Sequence, residues 1–107
     1  RYIVNLTPEA TFQNVETKSP LFKEWKRLAE TDSHAKAMTT KYQHRPAIEL
    51  YDVKNDPYCM KNLAEDAKQA STISRLDKEL KRWMKDCGDE GQPTEMRAFE
   101  HMPGKRK

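Results

Sequence analysis

The sequence predicts an α+β fold built from two short strands, a helical insert between them and one long amphipathic helix. Apolar and polar residues alternate in residues 1–6 and again in residues 49–53, which is typical of half-buried strands. Between them, residues 20–43 carry apolar positions at helical spacing. Residues 67–87 have the most regular helical spacing in the chain. The predicted segments are a helical insert (7–43), a strand and turn segment (45–64), a long helix (67–87) and a tail (88–107).

The composition indicates an ordered chain that is poor in core-forming residues. Its 107 residues allow one domain at most, and 36% of them are hydrophobic, against about 45–50% in globular domains. The net charge of +3 is too low to predict disorder. This composition is typical of a protein segment that packs against a larger partner surface. Because the chain opens on Arg1 without an initiator methionine, we expect a fragment of a longer protein.

The charge pattern predicts neither a nucleic-acid partner nor a membrane partner. Lys and Arg alternate with Asp and Glu instead of forming a basic face, and no apolar run approaches the ~20 residues that span a bilayer. The one concentrated basic run, 105–107, is interpreted as a solvated tail. Cys59 and Cys87 have no metal-ligand spacing, so we expect two ordinary thiols, while a disulfide between them stays an open alternative.

Two motifs compete just after the first strand. Asn5-Leu6-Thr7 matches the acceptor pattern for N-glycosylation, but Pro8 directly after it is unfavourable. Thr7-Pro8-Glu9 is better explained as a helix start, with threonine as the N-cap and proline at the first helical position. We therefore expect one or two helical turns here and no glycan on Asn5.

The insert is predicted to contain either a helical hairpin or one bent helix over residues 20–43. Ser19-Pro20 caps and opens the first helical stretch, and Thr31-Asp32-Ser33 separates it from the second. Pro46 ends the helical segment by forcing Arg45 into an extended conformation. His44 and Arg45 then have two interpretations, an exposed polar linker or a site for an anion such as a sulfate or carboxylate. The apolar positions of the two helices are Leu21, Trp25, Leu28, Ala29, Ala35, Met38 and Tyr42.

The stretch before the long helix contains more local structural signals than any other part of the chain. Its alternation places Glu49 and Tyr51 on the same side of a strand. Asp56-Pro57 then predicts the N-cap and first position of a short helical turn over residues 58–63. Asn62 is expected to bond its own backbone or to lock the neighbouring loop.

The long helix carries its apolar residues at positions that repeat every 3.6 residues. Ser71 or Thr72 is the predicted N-cap, and Gly88 is the predicted stop. Charged residues occupy the opposite side, so we interpret the apolar side as a packing surface. In the tail, apolar residues at three-residue spacing over 96–102 predict a brief helical turn that docks on another surface. The apolar side of the long helix comprises Ile73, Leu76, Leu80, Trp83, Met84 and Cys87.

No catalytic constellation is recognisable in the sequence. A Gly-rich phosphate loop, a His-Glu-x-x-His zinc motif and a Gly-x-Ser-x-Gly nucleophile elbow are all missing from it. The three histidines, His34, His44 and His101, lie in three separate segments. The residues by themselves therefore predict no enzyme confined to this chain.

The stretch Glu49-Leu50-Tyr51-Asp52-Val53-Lys54-Asn55-Asp56-Pro57, followed by Asn62-Leu63-Ala64, resembles the C-terminal signature of the sulfatase family. In that family a Glu-Leu-Tyr-Asp-Leu strand is followed by an Asn/Glu-Asp-Pro turn, an Asn-Leu-Ala corner and a final amphipathic helix. The insert and the tail resemble bacterial members close to heparan N-sulfatases (sulfoglucosamine sulfohydrolases). Ile48 and Cys59 depart from the pattern, which has acidic residues there. The signature residues are Glu49, Leu50, Tyr51, Asp52, Asp56, Pro57, Asn62 and Leu63.

The resemblance implies that residues 1–107 form the smaller C-terminal subdomain of a larger α/β sulfatase, a small antiparallel sheet with a helix packed across it. It implies a periplasmic or secreted parent that hydrolyses sulfate esters or sulfamates, with sulfated glycans as expected substrates. Sulfatases use a calcium ion and a formylglycine made in a Cys/Ser-x-Pro-x-Arg motif, which does not occur in this sequence. We therefore expect the chain to hold neither cofactor and to be inactive alone.

The resemblance also implies a partner, the N-terminal catalytic domain of the same parent, which this subdomain braces. A further expectation is that the subdomain lines the substrate cleft, with His44 and Arg45 in contact with sulfated substrate. The competing hypothesis is a stand-alone helical interaction module that presents Trp25 and Trp83 to a protein partner.

Overall fold

A computed structural model of the protein describes residues 1–104, and the basic run predicted as a solvated tail (105–107) lies outside the described residues. The chain is 51% helical and has one antiparallel two-stranded sheet, which confirms the predicted α+β class. It divides into two compact units. We call them the insert unit, Thr7–Ala47, and the sheet unit, which joins Arg1–Leu6 to residues 48–104.

The insert unit contains two helices, α1 (Pro20–Leu28) and α2 (Ser33–Gln43), after a 3₁₀ turn at Glu16–Lys18. The Ser19 hydroxyl accepts a hydrogen bond from the Phe22 N–H at 3.2 Å, so the first predicted cap is confirmed. Asp32 caps α2 in the same way, through the Ala35 N–H at 2.9 Å. Of the two predicted alternatives, the structure therefore has two separate helices and not one bent helix.

The core of the insert unit is centred on Phe22, which is 4% exposed. Its ring lies 5.6 Å from that of Tyr42 and 6.2 Å from that of Trp25, at angles that favour aromatic pairing. Leu21 and Leu28 are exposed, and Trp25 is half exposed. The predicted apolar stripe of α1 is therefore not the buried one, because the helix turns Phe22 inward.

The short helix predicted from Thr7-Pro8-Glu9 is not formed. The Ala10 N–H donates to the Thr7 carbonyl at 3.0 Å, which closes a single turn. The chain then runs without regular structure to residue 14, and the Phe12 N–H bonds the Gln43 carbonyl at 2.8 Å. That distant contact gives the Phe12 N–H the partner that a longer helix would have supplied.

The sheet unit begins with β1 (Tyr2–Val4), which pairs antiparallel with β2 (Ile48–Leu50). Tyr2 lies opposite Leu50, and Val4 lies opposite Ile48. Leu50 is 4% exposed. Residues far apart in sequence are thus joined before the chain reaches its long helix.

The long helix, α3, runs over Ala70–Cys87 after a 3₁₀ turn at Ala67–Gln69. Neither Ser71 nor Thr72 is its N-cap, so that prediction is wrong. Asp66 caps the 3₁₀ turn instead, and its carboxylate accepts from the Lys68 N–H at 2.9 Å. The capping side chain therefore belongs to the 3₁₀ turn that precedes α3, and not to α3 itself.

The predicted stop of α3 is confirmed at Gly88. This residue has φ +73° and ψ +21°, the left-handed conformation that glycine adopts without steric cost. The Asp89 N–H then donates to the Met84 carbonyl at 2.8 Å, which satisfies one of the last carbonyls of the helix. The end of α3 is therefore set by local sequence.

Four of the six predicted apolar residues of α3 are half buried, namely Ile73, Leu76, Leu80 and Met84. Trp83, at 61% exposure, and Cys87 are exposed instead. The packed side of the helix is therefore narrower than predicted, and it leaves a large aromatic ring in solvent.

A polar contact ties α3 to β1. The Tyr2 hydroxyl donates to Asp77 Oδ1 at 2.9 Å, and Lys81 Nζ lies 2.5 Å from Asp77 Oδ2. Burial and the hydrogen bond to Asp77 raise the pKa of Tyr2 to about 12. The hydrogen bonds from Lys81 and Tyr2 lower the pKa of Asp77. The carboxylate is thus held in its charged form between strand and helix.

The tail contains α4 (Gln92–Met96) and a 3₁₀ turn at Ala98–His101, and both belong to the sheet unit. Gly91, just before α4, is buried beside the side chains of Met84 and Leu6. The predicted helical turn in the tail is present, although all three of its apolar residues are exposed. No helix within residues 1–104 is long and apolar enough to cross a bilayer.

Candidate functional site

The side chain of Asn62 binds the outer edge of β2 like a short added strand. Its Oδ1 accepts from the Leu50 N–H at 3.0 Å, and its Nδ2 donates to the Ile48 carbonyl at 3.2 Å. The same oxygen accepts from the Ala64 N–H at 3.0 Å, and the Leu63 N–H donates to the Leu50 carbonyl at 2.8 Å. We call these contacts the Asn62 bracket. They hold the corner before α3 against the sheet.

Glu49 is the most deeply buried large side chain of residues 1–104, at 1% exposure. Its Oε1 accepts from the Tyr51 hydroxyl at 2.5 Å, and its Oε2 accepts from Asn5 Nδ2 at 2.8 Å. A buried carboxylate is costly unless hydrogen bonds compensate for its lost hydration. Both oxygens have donors here, and both donors lie in the sheet unit.

The turn between β2 and the Asn62 bracket is organised by two aspartates. Asp52 Oδ2 accepts from Asn55 Nδ2 at 2.8 Å, and hydrogen bonds from the Asn55 side chain and backbone lower the pKa of Asp52. Asp56 accepts from the backbone N–H groups of Met60 at 3.0 Å and Lys61 at 2.9 Å. The two aspartates therefore bond successive parts of the same turn.

The helical turn predicted over residues 58–63 is absent from this turn. Asp56 bonds N–H groups four and five residues ahead, whereas an N-cap bonds those two or three ahead. Cys59 has φ +53°, a left-handed conformation that stops a right-handed helix. The chain therefore curls back toward β2 instead of winding.

The two predicted substrate-contact residues belong to the insert unit, and the signature residues belong to the sheet unit. His44 is exposed, and its N–H ends α2 by donating to the Thr40 carbonyl at 2.8 Å. Arg45 Nη1 donates to the Lys41 carbonyl at 3.2 Å, which places positive charge at the helix C-terminus. This bond gives Arg45 a role in capping α2.

Asn5 is a site residue that the sequence does not predict. Its motif indicates a glycan acceptor, yet its side-chain amide bonds the buried Glu49. The available signal was its position two residues after Ile3 in an alternating strand, since Ile3 pairs with Glu49. Strand parity puts Asn5 on the same side of the sheet as that carboxylate.

The geometry favours a structural role for these residues over a chemical one. The Asp52, Asp56 and Asn62 side chains all bond backbone or amide groups of the same turn. Within residues 1–104 no group of three or more His, Cys, Asp or Glu side chains is placed to hold a metal ion. Cys59 and Cys87 form no disulfide.

Comparison with known proteins gives one informative similarity. No protein-family model matches the chain, and no solved structure gives a significant match. Over 99 residues the chain is 32% identical to an ulvan-active sulfatase from Formosa agariphila. The similarity covers 89% of this chain but 17% of that relative. The chain is therefore similar, over most of its length, to part of a sulfatase.

Proposed function

We propose that this chain is a non-catalytic C-terminal subdomain of a sulfatase and that it braces the catalytic domain of the same polypeptide. The Asn62 bracket carries the proposal, because the sulfatase-like signature residues use their side-chain hydrogen bonds to hold a corner of the sheet unit together. The similarity to part of a sulfatase supports it. So does the small number of buried apolar residues, since a chain with so little core gains stability from a larger neighbour.

The proposed parent hydrolyses sulfate esters or sulfamates on sulfated glycans and is periplasmic or secreted. Its catalytic domain supplies the formylglycine and the calcium ion. The name of the Formosa agariphila relative makes ulvan the first substrate to test. The finer resemblance to heparan N-sulfatases stays a prediction, and an N-sulfated glucosamine substrate assayed beside ulvan separates the two.

The experiment compares three proteins: the full-length parent, the parent cut before Arg1, and this chain alone. With calcium and a sulfated substrate, we expect turnover by the full-length parent and none by this chain. The shortened parent is expected to lose heat stability and activity, and adding this chain is expected to restore part of both. Sulfate release by this chain alone would overturn the proposal, as would a shortened parent with full stability and activity.

Contact between the insert unit and sulfated substrate is a separate proposal within this function. His44 is exposed beside Arg45, and an imidazole N–H next to a guanidinium offers hydrogen-bond donors suited to a sulfate group. In the parent, His44→Ala and Arg45→Ala are expected to raise KM with little change in kcat. His34→Ala, which removes an exposed histidine from the first turn of α2, is the control. An unchanged KM in both site variants would contradict the contact.

A second candidate function is the stand-alone interaction module. The exposure of Trp25 (50%) and Trp83 (61%) favours it, because large exposed aromatic rings are enriched at protein interfaces. The coding sequence upstream of Arg1 decides between the two candidates. A Cys/Ser-x-Pro-x-Arg motif in the same reading frame supports the sulfatase subdomain, and a start codon directly before Arg1 supports the module.

A further inference from the structure

The long helix α3 carries a row of basic side chains along one side. Arg75, Lys78, Arg82 and Lys85 follow one another at three- and four-residue spacing, which makes them neighbours on a helix surface. All four are exposed. At 3.6 residues per turn they lie within an arc of roughly 80°, and at 1.5 Å per residue they extend over about 15 Å. We call these four residues the basic ridge.

The basic ridge lies on the side of α3 opposite its packed residues. The half-buried residues of α3 lie about half a turn around the helix from the ridge. They are Ile73, Leu76, Leu80 and Met84. Packing within the sheet unit therefore leaves the ridge in contact with solvent.

The acidic residues of α3 lie outside the arc of the ridge, although they alternate with the basic residues in the sequence. Asp77 pairs with Lys81 toward the packed side of the helix. Glu79 and Asp86 lie along the other border of the ridge, where Glu79 Oε2 is 2.6 Å from Arg82 Nη2. The winding of the helix thus separates charges that the linear order mixes.

Three members of the ridge have uncompensated charge. Within residues 1–104 the side chains of Arg75, Lys78 and Lys85 make no hydrogen bond and no ion pair. Arg82 is the exception, because Glu79 pairs with it. A row of cations attracts anions. A partner with several anionic groups in line can contact the whole row, whereas one small anion reaches only part of it.

We propose that the basic ridge binds a sulfated polysaccharide through several of its sulfate groups at once. The inference rests on the proposed function, which makes such a polymer the substrate of the parent. Sulfate oxygens accept charge-assisted hydrogen bonds from the guanidinium and ammonium groups of Arg and Lys, as phosphate oxygens do. A polymer held by the ridge stays close to the parent, which raises its effective concentration for the catalytic domain.

A nucleic acid, the other common polyanion, fits the ridge less well. Proteins that bind single strands combine basic side chains with aromatic ones that stack on the bases. Trp83 is the one aromatic residue of α3, and it lies about a quarter of a turn outside the arc of the ridge. The ridge itself therefore offers charge without a stacking surface.

Binding of this chain to immobilised ulvan tests the ridge without any need for catalysis. The ridge variant has glutamine, a good helix former, in place of the three uncompensated residues: Arg75→Gln, Lys78→Gln and Lys85→Gln. We expect it to bind ulvan about tenfold more weakly than the unsubstituted chain, because three exposed ion pairs are lost. The control variant loses the same charge from three exposed lysines of the insert unit: Lys23→Gln, Lys26→Gln and Lys36→Gln. Its binding is expected to fall less than twofold.

Two results of this measurement would overturn the proposal. One is equal binding by the ridge and control variants, since the ridge would then add nothing beyond net charge. The other is tighter binding of the chain to double-stranded DNA than to ulvan, which would assign the ridge to a nucleic acid. A charge-keeping variant, Arg75→Lys with Lys78→Arg and Lys85→Arg, is expected to bind ulvan like the unsubstituted chain. A loss of binding in that variant would show that charge is not the cause.

Catalysis by the full-length parent gives a second measurement. In the parent, the ridge variant is expected to raise KM for polymeric ulvan about tenfold and to leave kcat unchanged. KM for a sulfated disaccharide from ulvan should not change, because a disaccharide is too short to extend from the ridge to the catalytic domain. An unchanged KM for the polymer would overturn the proposal. A parent without turnover of either substrate would contradict the proposed function alone, because binding by the ridge is measured separately.

Discussion

Replacing Asn62 by alanine is expected to open the corner before α3. The change removes two bonds accepted by Oδ1 and one donated by Nδ2, at 3.0, 3.0 and 3.2 Å. Net hydrogen bonds contribute about 0.5–1.5 kcal/mol each. Asn62 is itself exposed, so water replaces part of this loss. The Leu50 N–H belongs to a residue that is only 4% exposed, and leaving it unbonded is the main cost. We expect a loss of about 2 kcal/mol of unfolding free energy.

Urea unfolding followed by far-ultraviolet circular dichroism measures the loss, which corresponds to a fall in melting temperature of about 8–16 °C. Exchange of the Leu50 amide gives the local reading, and its protection is expected to disappear first. Asn55→Ala is the matched control, because it removes one exposed amide bond from the same turn and should cost under about 0.5 kcal/mol. If Asn62→Ala and Asn55→Ala have equal unfolding free energies, the bracket does not hold the corner.

Further substitutions test the packing within each of the two units. Gly91→Ala is expected to lower the unfolding free energy by about 2 kcal/mol, because φ +76° with ψ −125° suits only glycine. Gly88→Ala, where the added side chain meets open space, is expected to lower it by about 1 kcal/mol. Equal urea midpoints for the two variants would contradict the larger effect at Gly91. The raised pKa of Tyr2 means that its proton contributes stability below the unfolded value near 10, and that this contribution is lost as the pH rises through about 12. Tyr2→Phe should therefore remove an ultraviolet titration step near pH 12. The lowered pKa of Asp77 means the reverse: its contribution is present above the unfolded value of about 4 and is lost as the pH falls through the folded value. Asp77→Asn should flatten the acid limb of the stability curve, and an unchanged limb would refute the contact. Phe22→Ala should cost about 3–5 kcal/mol in thermal unfolding, and a cost under about 1 kcal/mol would show that Phe22 is not the core of the insert unit.

The features predictable from the sequence are those fixed by a few neighbouring residues. Ser19 and Asp32 cap helices through N–H groups three residues away, so their roles follow from local spacing. Gly88 stops α3 because its conformation depends on the absence of a side chain. The α+β class follows from the change of period between the strands and the helices.

The features that escaped prediction depend on partners distant in sequence. Asp56 has the local signature of an N-cap, but the pairing of Asn62 with β2 draws the chain back before a helix can wind. The role of Asn5 depends on a carboxylate 44 residues away. Which apolar residue of α1 is buried depends on where the aromatic ring of Tyr42 in α2 lies. Periodicity alone identifies the apolar positions of α1 and does not say which of them contacts that ring.

The register that pairs Val4 with Ile48 also brings together the two points where the chain leaves and re-enters the sheet. In topological terms the strands form a β-hairpin whose loop is a folded unit, Thr7–Ala47. Closing a loop of about 40 residues costs roughly 2 kcal/mol more than closing one of about five. The insert is thus an addition that the hairpin tolerates and that a short turn can replace. We therefore expect changes in the length or sequence of this loop to leave the strand register undisturbed.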